Sequence, residues 1–422
     1  MSALAATSIL SGPSVAEPFS TAPCALHRTD AHHSEGVDTW NPSYTRPTRP
    51  FSAVMVFLAF PDSAPHTTPA QLTADHFPAT SRFFEQASYG KFTLRPHPLP
   101  HWLRMPEPST SYAIRRDWNP ARRAAYLHDA FAVADGQVDF SRYDVVYFVA
   151  DPDAPGVDSD ATKVVNLDTP VQVDGTEVRR VVTVFERHPP DRLVLAHETG
   201  HLFDLPDLYH RPADGKGDWD TYVGDWDLMG SQFGLSPDLF AWHKWKLGWL
   251  DPRQVACLRG TGPTRLTLEP LAAGPGTSVP GLSGAPAFGL GDGTKLAVVR
   301  TGPDSVLAFE ARGPSGSDRA TCRQGILVYR VHSGAASGGG PIEVVDAHPH
   351  TEACWEGSVY APLADAPVAP GESFTVPGEG VKVEVEGRTV SGVGSHQPAG
   401  AARCGGAVAG EGRDGHSVPG AV

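Results

Sequence analysis

The stretch HETGHLFDLPDLY, residues 197–209, constrains this chain more than any other. The segment VLAHETGHLFDL has a helical pattern, with apolar Leu195, Ala196, Leu202 and Phe203 set around polar residues. His197 and His201 are one turn apart, so both imidazoles project from the same face. Glu198 stands at the edge of that face, where it can reach a metal-bound water without being a ligand. Pro206 disfavours helical backbone at Leu205, so the helix is expected to stop near Phe203 or Asp204.

Two imidazoles make an incomplete zinc site. A catalytic zinc takes three protein ligands and keeps a fourth position for water. Asp204 would lie on the fraying helix end, whereas Asp207 lies past the turn, where the chain can fold back under the metal. That favours Asp207 as the third ligand. Asp204 then becomes the turn residue, since aspartate is one of the few residues besides glycine that tolerates the left-handed conformation. The alternative makes Asp204 the ligand and Asp207 a cap. The plainest competing reading is a solvated helix with two incidental histidines.

The rest of the chain suggests how such a helix is housed. The 422 residues give room for two or three domains, and 40% are hydrophobic. Gly 44 and Pro 40 favour short strands, long loops and few long helices. With 48 acidic against 34 basic residues the net charge is −14, which argues against nucleic acid and anionic membranes as partners. No apolar run is long enough to span a membrane. The start, MSALAATSILSGPSVAEP, resembles the back half of a secretory signal whose charged region is missing, with a flexible tail as the alternative reading.

Residues 1–48 contain no periodic element and read as a leader and linker, a possible remnant of a signal or pro-segment. PFSAVMVFLAF suits a strand buried on both faces. TPAQLTADHFPATSRFFEQAS reads as helical, with Thr68 as cap and Pro69 at the first position. Further strands are expected after Gly90, in YDVVYFVAD and in EVRRVVTVFE, and a helix in SPDLFAWHKWKLGWL, capped by Ser236. Trp242, Trp245 and Trp249 are spaced as one core-facing stripe. After Trp249 come short alternating strands: TRLTLEPL, KLAVVRT, SVLAFEAR, QGILVYRV and VKVEVEG. The reading is therefore α+β: a catalytic-type domain over 49–251, an all-β, sandwich-like domain over 252–390, and a disordered tail over 391–422.

Several of these segments together resemble a known family. HETGHLFDLPDLY is similar to the extended zinc motif of metzincin-type metallopeptidases, in its aspartate variant. The LPDLY continuation, GDWDLMGS, AWHKWKLGWL, FFEQASYGKFTL and AVMVFLAFPDS resemble segments of the immune inhibitor A-like M6 peptidases, in order over about 52–250. The resemblance implies a twisted sheet plus active-site helix, with His197, His201 and Asp207 as zinc ligands. It also implies Glu198 as general base and Met229 as an apolar floor beneath the metal. That is a secreted zinc endopeptidase acting on proteins or peptides. The rival is an inactive exported protein that binds metal or a partner on the same fold. The family usually has glycine where this chain has Asp204, so that position is either a second nearby carboxylate or a strained turn.

Other features are weaker. Tyr209 and Tyr222 are equivalent candidates for a second oxyanion donor. RRVVTVFE is a candidate cleft edge to which a peptide could add as a strand. Asp214, Asp218 and Asp220 offer hard oxygen ligands that would suit Ca2+, though a solvated acidic turn is the simpler reading. Cys322 and Cys354 could pair if the protein is exported. Cys24 could cap the zinc in a latent form. Cys404 and the oligomeric state have no assignment.

Overall fold

The apolar run near the start of the ordered chain becomes β1 (Phe51–Ala59), and its neighbours explain why it is apolar but for Ser52. The computed structural model describes residues 23–259, 262–273, 293–390 and 398–406, apart from 33, 192, 213, 214 and 236. The signal-like start therefore lies outside the described residues. After β1 come α1 (Pro69–His76), α2 (Ala79–Ala87), β2 (Leu94–Arg104), α3 (Ser109–Tyr112) and α4 (Pro120–Ala134). Then follow β3 (Val145–Ala150), β4 (Lys163–Val173), β5 (Thr176–Val184), α5 (Val194–His201) and α6 (Ala241–Lys246).

Strands β1 to β5 make one sheet in the order β2-β1-β3-β5-β4, parallel except for the antiparallel edge strand β4. Successive side chains of a strand face opposite ways. Phe51, Ala53, Met55 and Phe57 accordingly enter one core, and Val54, Val56 and Leu58 enter the other. On the second face lie Tyr126, Leu127, Ala130 and Phe131 of α4. This longest helix is not among the elements picked out from the sequence, although Asn119 caps Ala121 and Arg122 and Pro120 follows it. The start of α1 is as expected, with Thr68 and Gln71 forming a capping box.

The second half of the chain forms β6 (Val255–Leu258), β7 (Thr264–Leu268), β8 (Leu296–Arg300), β9 (Ser305–Arg312) and β10 (Gly325–His332). It continues with β11 (Ile342–Val345), β12 (Ser373–Thr375), β13 (Val381–Val390) and β14 (Pro398–Gly406). They build two sheets, β11-β10-β9-β8-β6 and β12-β13-β14-β7, which share a core that includes Leu307, Phe309, Val328, Val383 and Val385. The molecule is thus a mixed α/β structure with several sheets and few helices, compatible with α+β.

Three features differ from the sequence reading. Residues 398–406, expected in a disordered tail, form β14 between β13 and β7, where backbone pairing does not need bulky side chains. The alternate residues of β8 to β10, such as Val298, Ala308 and Tyr329, lie in the same core as β1 and the tryptophans of α6. The boundary near 252 therefore marks a change of secondary structure within a continuous packed interior. Of the segment expected as a leader and linker, the described residues have no helix or strand but are buried in part: Leu26 and Val37 enter that core, and Cys24 is bonded to Cys257. A second disulfide joins Cys322 to Cys354.

Candidate metal centre

Helix α5 brings the motif together. It runs Val194–His201 and passes through Leu202 into a turn whose reversal is at Asp204, with φ 68°. The helix ends at His201, two residues before the expected stop near Phe203, and the left-handed residue is the one expected. The chain then returns Asp207 beneath the imidazoles. Asp207 Oδ1 lies 3.3 Å from His197 Nε2 and 3.2 Å from His201 Nε2.

Each imidazole is fixed from behind by a backbone carbonyl. His197 Nδ1 donates to the Leu228 oxygen at 3.0 Å, and His201 Nδ1 to the Leu205 oxygen at 2.7 Å. A carbonyl only accepts, so Nδ1 carries the proton and the Nε2 atoms are turned inward. Two ligands at ordinary zinc distances on a tetrahedral ion lie about 3.4 Å apart. Asp207 meets that spacing to both histidines, so the donor set fits zinc. Among the described residues, His197, Glu198 and His201 are the group of three acidic or imidazole side chains close enough to share a metal ion. Glu198 Oε2 accepts the Val164 N–H at 2.7 Å, which fixes the orientation of its carboxylate.

Electrostatics sharpen these roles. Burial raises the Glu198 carboxyl above its usual range, against the pull of the two histidines. Burial disfavours charge on His201, yet Asp207 raises that imidazole to about 10. Burial likewise works against the Asp207 carboxylate, but the two imidazoles hold it far below the usual range. The pair is one mutually stabilised set of charges.

Met229 is buried against Gly200 of α5. A Cβ built on Gly200 would meet the Met229 sulfur at 2.6 Å, so the helix rests on this side chain and an alanine there would require it to shift. Asp227 accepts the Met229 N–H at 2.8 Å and the Phe240 N–H at 2.6 Å. This second bond corrects the expected start of α6. The helix begins at Ala241, with Asp227 and Glu310 taking its first N–H groups. Ser236, the expected cap, lies outside the described residues. The three tryptophans are buried core, as their spacing indicated.

Asp204 is not at the metal centre. Its carboxylate is fully buried, 2.6 Å from Lys246 Nζ of α6 and 3.6 Å from Arg28, and it accepts the Gly36 N–H at 3.2 Å. Cys24, in its disulfide, is not available to a metal either. Tyr209 and Tyr222 separate: the Tyr209 ring stacks 6.5 Å from His197, whereas Tyr222 bonds His210 at 3.2 Å. RRVVTVFE is β5, an interior strand, so it cannot be the cleft edge. The edge is β4, whose Val164 backbone holds Glu198. Asp214 lies outside the described residues, and neither Asp218 nor Asp220 joins a metal-holding group among the described ones.

The centre opens into a cleft of about 1020 Å³ lined by Glu198, Tyr209, Lys163, Trp219 and the Gly230–Phe233 loop. Three contributors have no side-chain signal in sequence: the Val164 N–H and the Leu205 and Leu228 carbonyls are backbone groups. Ser337, which donates to the Asp207 carboxylate at 3.4 Å and accepts its N–H at 2.9 Å, comes from the distant β region. No model of a known protein family matches the chain, and no curated protein matches its sequence.

Proposed function

We propose that this protein is a secreted zinc endopeptidase of the metzincin type, similar to the M6 peptidases. The observation that carries the reading is the single Asp207 oxygen held at zinc-ligand spacing from two back-bonded imidazoles, with Glu198 beside them. His197, His201 and Asp207 would hold the ion. Zinc, when bound, lowers the pKa of water and polarises a carbonyl.

The chain's own residues supply the rest. Glu198, buried and raised, takes a proton from the attacking water and delivers it to the leaving amine. The Val164 N–H fixes which Glu198 oxygen is free for that transfer. Tyr209, whose ring stacks 6.5 Å from that of His197, is the tyrosine this reading assigns as donor to a developing oxyanion. The free edge of β4 offers backbone groups to an extended peptide, which gives grip with little sequence demand. Two disulfides suit an oxidising compartment, and among the described residues no helix is long and apolar enough to cross a membrane.

Peptide mapping of casein after incubation with the purified protein tests this. New internal termini that vanish on chelation and return with zinc support it. Intact casein with one zinc bound per chain contradicts it.

A further inference from the structure

Beside Glu198 one part of the cleft carries three cations, Arg116, Arg123 and Lys163, in a lining that also includes Asp160, Glu186, Asp191 and Asp220. Lys163 opens β4, directly before the Val164 amide that holds Glu198. Its ammonium donates to the Arg116 carbonyl oxygen. The Arg116 guanidinium lies 4.9 Å over the ring of Trp219, which is itself 5.4 Å from the ring of Tyr209. Arg123 sits in the first turns of α4, and the amino end of that 15-residue helix, Asn119 and Pro120, lines the same cleft.

These cations are not there to satisfy neighbouring acids. Among the described residues, no carboxylate lies within ion-pair distance of Arg116, Arg123 or Lys163, while Arg211 close by is paired with Asp117 at 3.4 Å. Burial, and then Arg123 and Arg116, depress the Lys163 ammonium, whereas Glu198 and Asp117 act the other way. A helix amino terminus adds to the positive side. With acids elsewhere in the lining, these three cations are better matched to a singly charged anion than to a doubly charged phosphate. Arginine on a rigid helix is well suited to planar recognition of a carboxylate.

We propose that Arg116, Arg123 and Lys163 form a carboxylate-binding subsite of the cleft, taking an acidic side chain or the free C-terminus of a bound peptide. The subsite rests on reading the cleft as a peptide cleft, but it makes a claim about binding that does not need turnover.

The test uses the full chain with Glu198→Ala, loaded with zinc, and three fluorescent peptides read by anisotropy. One carries an internal glutamate and an amidated end; the second has glutamine instead; the third has glutamine and a free C-terminus. A carboxylate peptide is expected to bind on the order of tenfold tighter than the amide, the scale of a charge-assisted hydrogen bond. Preference for the first identifies an acidic-residue subsite, and preference for the third a terminal one. Arg123→Gln, and separately Arg116→Gln, in the same background should bring the ratio towards one, with thermal melting confirming the fold. Equal binding of all three peptides overturns the proposal. So does a preference that survives both arginine changes together, since the carboxylate is then on the metal. If the preference holds but protein with Glu198 intact cleaves none of these peptides or casein, the subsite stands and the peptidase reading fails.

Discussion

Asp204 and Asp207 stand three residues apart and face different interiors. Asp207 meets the imidazoles, while Asp204 holds a left-handed turn and anchors Lys246 of α6 and Arg28 of the N-terminal segment. The turn was legible, because Pro206 dictates it and aspartate tolerates it. The partners were not, because no local pattern points to residues so distant in the chain. Asp204→Gly would relax the turn, yet it would leave the Lys246 ammonium buried without its closest carboxylate. Breaking such a pair costs roughly 3–5 kcal/mol, more than the roughly 1–2 kcal/mol of left-handed strain. Urea denaturation should show a clear net loss of stability with zinc content unchanged; a more stable variant would refute the assignment. Asp220, on the cleft wall, gives a pH test. Burial, then Asp225 and Asp218, raise its carboxyl from 3.8 to about 6. Between those values the folded protein holds a proton that the unfolded chain releases, so stability falls as pH rises through that window. Asp220→Asn should therefore improve relative stability at pH 7 compared with pH 4.5, by denaturant midpoints at both.

At the level of elements, the sequence located those with period and punctuation. The largely apolar β1 and β3, the capped α1 and the alternating β8 to β10 lie where the residues placed them. The start of α6 did not, because its cap is supplied by acids remote in sequence. Strand pairing was also hidden: EVRRVVTVFE reads as a strand, but whether it lies at an edge depends on order in space. Asp227 is where these dependencies meet. It receives the N–H groups of Met229 and Phe240, and His243 Nδ1 at 3.1 Å. Asp227→Ala would leave three donors without their acceptor in a fully buried site, at about 1–3 kcal/mol for each group. The expected result is a loss of several kcal/mol in chemical denaturation. A loss below about 1 kcal/mol would mean that the floor beneath the centre is held otherwise.

The whole molecule departs furthest from a chain of separate domains. Sheet β11-β10-β9-β8-β6 is buried on both faces, one against the second β sheet and one against the motif-bearing half. Alternation showed that these segments are strands, but it could not show what covers each face. The partly buried 24–48 segment was invisible for the same reason: coil packed by a disulfide and ion pairs has no period. The β region also reaches the site, since Ser337 braces Asp207. Groups that orient a metal ligand typically contribute 10–100-fold to affinity. Ser337→Ala should weaken zinc binding by about tenfold in competition with a chelating dye, and unchanged affinity would remove the β region from the site.

The most direct test of the peptidase reading is casein cleavage by the protein and by Glu198→Ala, both brought to one zinc per chain. Glu198 is not a ligand in this arrangement, so the variant should keep its zinc and lose cleavage by at least about a hundredfold, the scale of a lost general base. Equal cleavage rates at matched zinc would contradict the account.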